Sequence, residues 1–183
     1  AVEAAKGEYI VLLNNDTEII TPHWLQVMVG YAMQPHIGAV GAKLLYPDNT
    51  VQHAGIILGI GGIAQHCFID NPREDVGFYG RLSVPFNYSA VTAACLMVSK
   101  EKYLEVNGLE EELQVAFNDV DFNLKLLKQG YYNICLNQVE LYHYESKSRG
   151  DDTVDTKSAK YRRFVQEHDY IKDKRGYMLY SDR

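Results

Sequence analysis

Residues 9–19 read YIVLLNNDTEI: five apolar or aromatic residues, then two amides and an acid. β-Branched and aromatic side chains pack well on a pleated, half-buried surface, so the run predicts a strand over Tyr9–Leu13. Asn14, Asn15 and Asp16 are poor strand residues, yet Asn and Asp satisfy their own backbone in turns. Two readings of this ending stay open. It is a plain turn, or it places an acid at the C-terminal end of a strand, where open α/β sheets bind ligands.

Outward from this stretch, Val2–Lys6 reads as the tail of a helix closed by Gly7. Thr21-Pro22 reads as an N-cap followed by proline at the first helical turn, and Leu25, Met28, Val29 and Ala32 follow with helical spacing up to Pro35. Ala39–Leu45 and Gly55–Ile60 read as strands separated by the turn PDNT. From Gly61 to Pro85 the chain lacks clear periodicity and reads as a long irregular excursion of the kind that forms lids or binding loops. Tyr88–Ser99 reads as a buried strand, with Ser99 capping a short helix that ends at Asn107-Gly108. A second helix is predicted from about Asp119 to Gln129, closed by Gly130. YYNICLNQVELYHY supplies one or two strands with Val139, Leu141 and His143 on one face, and Thr156–Lys174 is helical. Strands alternating with helices predict an α/β domain with a mixed sheet.

The composition, 46% hydrophobic and 23% charged over 183 residues, is that of an ordinary folded domain and excludes the disordered and collagen-like classes. No apolar run approaches the roughly 18 residues that a membrane-spanning helix needs, and the first residues lack the features of a signal peptide; the chain reads as soluble and cytoplasmic. A net charge of -6 argues against nucleic acid as a partner. Cys67, Cys95 and Cys135 are odd in number and widely spaced, which disfavours a disulfide framework or a zinc ribbon.

FNDVDFNLKLLKQG sets Asn118, Asp119 and Asp121 at a helix start, where carboxylates complement the helix dipole whether or not they do chemistry. The segment imitates an EF-hand opening, but Leu124 stands where the loop needs glycine and Gly130 where it needs a bidentate Glu. Asp119 and Asp121, two apart on a helix, diverge and do not form a retaining-hydrolase pair. Gly59, Gly61 and Ala64 fit G-x-G-x-x-A, but no amphipathic helix follows, so a nicotinamide site is rejected. His53, His66 and Cys67 match no zinc spacing and read as structural or loop residues. A lone histidine is usually structural, but if Asp16 and His143 stand at strand ends on one rim they form an O and N pair suited to Mn²⁺ or Mg²⁺.

The ordered set GEYIVLLNNDTEI, TPHWL, TAACLMVSKEKYLEVNGLEE, FNDVDFNLKLLKQGY and ELYHYESKSRG resembles the family 2 glycosyltransferases, most closely the rhamnosyltransferase-like branch that builds O-antigen and other surface polysaccharides. The resemblance implies a GT-A type nucleotide-diphospho-sugar transferase fold, a mixed sheet flanked by helices, here without the N-terminal portion that binds much of the nucleotide. It places the C-terminal part of the transferase domain at residues 1–150 and a helical extension at 151–183. NND matches the DXD-like motif, with Asn14 where the strict motif has its first acid; Asp16 is then the metal ligand and Asn15 lies near the donor's ribose or diphosphate. NDVD matches the segment that carries the catalytic base, which is Asp119, and His143 completes the metal site. Lys147 and Arg149 stand ready for the donor phosphates.

What the resemblance implies chemically is an inverting, metal-dependent transfer from a nucleotide-sugar donor to a glycan or lipid-linked saccharide acceptor. The implied location is cytoplasmic, including the periphery of the inner membrane face, with no transmembrane segment in this chain. The isolated fragment is expected to be inactive and, with a sheet edge uncovered, to self-associate. A non-catalytic carbohydrate- or partner-binding module on the same scaffold is the alternative, supported by the amides Asn14 and Asn118.

Overall fold

Nine successive residues of IGAVGAKLL, Ile37–Leu45, are buried on both faces, as expected of a strand in the middle of a sheet covered by helices on each side. In the computed structural model, which describes residues 1–60, 62–144 and 157–179, this strand is β3 and the axis of the fold. The elements run β1 (Tyr9–Leu13), β2 (Thr17–Ile19), α1 (Trp24–Ala32), β3, β4 (Val51–His53), β5 (Ile56–Leu58), β6 (Ala64–His66), β7 (Phe86–Tyr88), β8 (Cys95–Ser99), α2 (Lys100–Glu105), α3 (Asn118–Lys128), β9 (Tyr132–His143) and α4 (Ala159–Leu179). The main sheet has seven strands in the order β1-β8-β3-β9-β2, with β4 added to β3 and β7 to β9; β5 and β6 form a separate hairpin. β3 and β9 pair in parallel and the other pairings are antiparallel, so the sheet is mixed.

Side-chain alternation divides the core. Cys95 and Met97 of β8 join Val40, Ala42, Leu136 and Leu141 under α1, which contributes Trp24, Met28 and Ala32. Leu96 and Val98 point the other way, with Ala39 and Cys135, toward Phe122 and Leu126 of α3. All three cysteines are free and buried; burial pushes the Cys67 thiol up to about 11 and that of Cys95 to about 12, so they serve as apolar filler.

Several expected elements are displaced, each for a local reason. Residues 2–4 form a turn, with Ala5 N–H donating to the Val2 carbonyl at 3.1 Å, and not the tail of a helix. α1 starts at Trp24 behind His23, whose φ is 59°, and Thr21 does not cap it. The Thr21 hydroxyl instead accepts the Glu140 N–H at 2.8 Å, pinning the chain to β9. The segment expected as one strand from Gly55 begins only at Ile56. Gly55 itself is a turn residue at φ 108° against which the Tyr88 ring lies so close that an added Cβ would meet it at 2.3 Å. Tyr88–Ser99 splits into β7, paired with β9, and β8, paired with β1 and β3. The excursion after residue 60 includes β6 and a 3-10 turn at Phe78–Gly80. The β5–β6 hairpin stands where a dinucleotide fingerprint would need a strand followed by a helix. Ser99 caps α2 as expected, its Oγ accepting the Lys102 N–H at 3.2 Å.

Candidate active site

Backbone register delivers Asp16 to His143. β2 pairs with the C-terminal end of β9, setting Thr17 opposite His143, and the Tyr144 N–H extends the ladder to the Asp16 carbonyl at 2.9 Å. The turn before β2 is tied down as well. Asn14 N–H donates to the Ala94 carbonyl at 3.0 Å, and the Thr17 hydroxyl donates to the Asn14 carbonyl at 2.8 Å. Asp16 Oδ1 thereby lies 3.3 Å from His143 Nε2.

Partners decide the roles of the His143 ring atoms. Gln52 Oε1 can only accept, and it lies 2.7 Å from Nδ1, so Nδ1 carries the proton. Gln52 Nε2 donates back to the His143 carbonyl at 3.4 Å. Nε2 is left as an acceptor, and Asn14 Nδ2 donates to it at 3.1 Å. The contact with Asp16 is accordingly not a hydrogen bond: Asp16 Oδ1 is buried without a hydrogen-bond partner. A carboxylate oxygen and a nitrogen lone pair held side by side repel, and a cation between them relieves the repulsion. The pair therefore fits a divalent ion that accepts oxygen and imidazole ligands, Mn²⁺ or Mg²⁺. Among the described residues no set of three His, Cys, Asp or Glu side chains converges.

Asp119 stands in the first turn of α3. Its Oδ1 accepts the Val120 N–H at 2.8 Å and its Oδ2 the Ala93 N–H at 3.2 Å, which orients the carboxylate toward the connection between β7 and β8. Asp121 serves other elements: it is fully buried, with Oδ1 accepting from Arg175 Nε at 2.7 Å and Oδ2 facing Lys125 Nζ at 3.1 Å. Asn118 holds its own loop, Nδ2 donating to the Leu113 carbonyl at 3.2 Å.

Asp119 and His143 share one cavity of about 370 Å³, whose lining also includes Gln52, His66, Phe117 and Phe164. Asn15 is exposed on the turn. Lys147 and Arg149 lie outside the described residues, so the phosphate contacts expected of them have no structural account. His66, in β6, lines the cavity while its Nδ1–H donates to the Gln52 carbonyl at 3.2 Å. His53 is buried behind it, rings 4.8 Å apart and edge-on, with Nε2 accepting from Gly55 N–H and Thr92 N–H at 3.3 and 3.5 Å. Gln52 and Phe164 carry no motif in the sequence, and Phe117 only opens the stretch FNDVDFNLKLLKQG. Only their spatial company brings them to the site.

No family model matches the sequence. The chain is 48% identical over 173 residues to the uncharacterized protein y4gI of Sinorhizobium fredii (strain NBRC 101917 / NGR234), an alignment covering 94% of this chain and 19% of that protein. It is 40% identical over 161 residues to the O-antigen biosynthesis protein RfbC of Myxococcus xanthus, covering 84% of this chain and 12% of that protein. The chain thus spans under a fifth of the length of these curated relatives. Among solved structures it superposes on GalNAc-T7 with UDP, GalNAc and Mn²⁺ with a TM-score of 0.64 at 12% identity, covering 92% of this chain and 32% of that one. A mixed sheet flanked by helices in this arrangement is a GT-A type glycosyltransferase fold.

Proposed function

We propose that this chain is part of an inverting, family 2 glycosyltransferase that moves a sugar from a nucleotide-diphospho-sugar to an acceptor hydroxyl in surface-polysaccharide synthesis, and that Asp119 is its base. The observation that carries the reading is the joining of Asp119 and His143 in one cavity, with the orphaned Asp16 oxygen beside His143. Support comes also from the solved neighbour, which holds UDP, GalNAc and Mn²⁺, and from the relative named for O-antigen biosynthesis.

In this mechanism the acceptor oxygen forms a bond to the anomeric carbon as the bond from that carbon to the diphosphate breaks on the opposite face. Asp119 takes the acceptor's hydroxyl proton, and Ala93 N–H and Val120 N–H keep its carboxylate in place as it does so. One base and no covalent intermediate invert the centre. Asp16 and His143 would hold the divalent cation, which when bound supplies Lewis-acid neutralisation of the departing diphosphate. Gln52 accepts from Nδ1–H and so leaves Nε2 of His143 as the nitrogen beside Asp16 and Asn14. Asn15, Lys147 and Arg149 are assigned to the donor's ribose and phosphates.

The test compares the full-length parent protein with its Asp119→Asn and Asp16→Ala forms. Asp119→Asn is expected to cut transfer roughly a hundredfold to ten-thousandfold while leaving Mn²⁺-dependent UDP binding intact by calorimetry. Asp16→Ala is expected to abolish that binding. The alternative, a non-catalytic binding module, draws on the amides at 14 and 118. The Asn118 amide, however, has a structural task in holding Leu113. Saccharide binding without metal-dependent nucleotide binding would favour the module.

A further inference from the structure

We infer that Phe117 and Phe164 form an aromatic platform in the wall of the Asp119 cavity, on which the C–H face of the acceptor's pyranose ring stacks while one of its hydroxyls meets Asp119. The inference rests on the glycosyltransferase reading and names the acceptor subsite within it. Both rings line the cavity, with centroids 5.6 Å apart and planes at 41°. Each remains partly exposed, unlike the fully buried Phe122 of α3.

The Phe117 ring is held there against a backbone cost. Its φ of 61° lies in the left-handed region, unfavourable for a bulky residue and affordable where the surroundings over-determine it. Those surroundings are visible. The buried Glu167 carboxylate of α4 accepts the N–H groups of Gln114 and Ala116 at 3.2 and 2.5 Å. Asp121 N–H donates to the Phe117 carbonyl at 2.8 Å, and His168 packs edge-on against the Phe117 ring. α4 thus supplies one ring of the platform and fastens the loop that bears the other.

The same lining carries the polar side chains of Gln52, His66, Thr92, Asp119 and His143, with apolar Ile56, Val115 and Val120 among them. A cavity that joins two aromatic rings with hydrogen-bonding groups matches a pyranose, whose C–H face carries partial positive charge toward the negative face of an aromatic ring and whose rim carries hydroxyls. A nucleobase would also stack on aromatic rings. The pyranose is favoured because the reacting hydroxyl must come within hydrogen-bond reach of Asp119. The ring bearing that hydroxyl then lies against the neighbours of Asp119, of which Phe117 is one.

The test is saturation-transfer NMR with methyl α-mannopyranoside, methyl β-galactopyranoside and methyl α-rhamnopyranoside on the full-length parent protein as wild type, Phe164→Leu and Phe164→Tyr. Calorimetry with UDP and Mn²⁺ runs in parallel. Leucine keeps the apolar volume and loses the flat face; tyrosine keeps both. The expected result is saturation of ring C–H protons in wild type and Phe164→Tyr, weakened about tenfold in Phe164→Leu, with UDP affinity unchanged. Pyranoside saturation unchanged in Phe164→Leu, or no saturation in wild type, overturns the platform while UDP binding upholds the enzyme reading. A loss of UDP affinity in Phe164→Leu with pyranoside signals unchanged reassigns the rings to the base and also overturns it. Absence of Mn²⁺-dependent UDP binding in wild type sinks both. If Phe164→Leu fails to fold, Phe117→Leu in the same measurements decides the matter.

Discussion

The amide of Gln52 touches His143 at two points, accepting from the ring at 2.7 Å and donating to the carbonyl at 3.4 Å. A histidine that ligates a metal through one nitrogen commonly donates from the other, and loss of that outer partner costs about 10–100-fold in metal affinity. Gln52→Leu is therefore expected to weaken Mn²⁺ binding by about that factor, and nitrogen-15 spectra of the imidazole should show His143 losing its single Nδ1–H tautomer. An unchanged tautomer in that variant would contradict the assignment. This residue also shows what the sequence conceals. Asp16, Asp119 and His143 stand out because strand ends and helix starts mark them. Gln52 lies in a three-residue strand whose position beside His143 depends on β4 joining β3 and β3 joining β9. A polar residue with a long-range partner has no local pattern to betray it.

At the scale of elements, α4 is bound to α3 through a buried ion pair. Asp121 accepts from Arg175 at 2.7 Å, and the two side chains are 0% and 10% exposed. Burial works against the Arg175 charge, and the Asp121 carboxylate outweighs it. Removing one member of such a pair strands the other, at a cost of about 3–5 kcal/mol. Asp121→Ala is expected to lose stability of that order in urea unfolding and to make α4 susceptible to limited proteolysis; a change below about 1 kcal/mol would mean that solvent already screens the pair. The helix itself was legible but not its end: expected to stop at Lys174, it runs to Leu179, with buried Glu167, Ile171, Arg175 and Met178 recurring at helical spacing. Its partner was not, because periodicity identifies an apolar face without naming what covers it. The same limit explains Tyr88–Ser99. One apolar run reads as one strand, yet its ends pair with different neighbours, and the residues between do separate work. Val91 packs so tightly on Gly41 that a Cβ there would meet it at 2.6 Å, and Ala93 orients Asp119. β1, α3 and β9 were legible because their signals are local: a β-branched run, a helix closed by Gly130 at φ 91°, and a buried alternation over Val139, Leu141 and His143.

For the molecule as a whole, the site's support is a buried polar layer whose protonation couples to folding. Glu140 is the acidic part. Burial opposes its charge, but Lys43 at 2.6 Å and Arg73 at 2.8 Å hold its carboxyl below the usual range, so it stays ionised through mild acid. His53 is the part that responds near neutrality. It is fully buried, and burial first, then the charges of His66 and His143, hold its pKa well below the 6.5 of an ordinary imidazole. Below pH 6.5 the unfolded chain takes up a proton that the folded chain refuses. Stability from this group is therefore complete above that pH and falls as the pH drops, by at most about 1.4 kcal/mol per unit. Comparing wild type with His53→Gln in urea unfolding at several pH values isolates the contribution, since other acid-sensitive groups are common to both. The longer glutamine amide reaches the place of Nε2 and keeps an acceptor for the Gly55 and Thr92 N–H groups. The variant should be less stable at neutral pH and should approach wild type on acidification, because it lacks the group that penalises folding there. Parallel profiles would show that His53 is protonated in the fold and that the polar layer behind the site does not exclude charge.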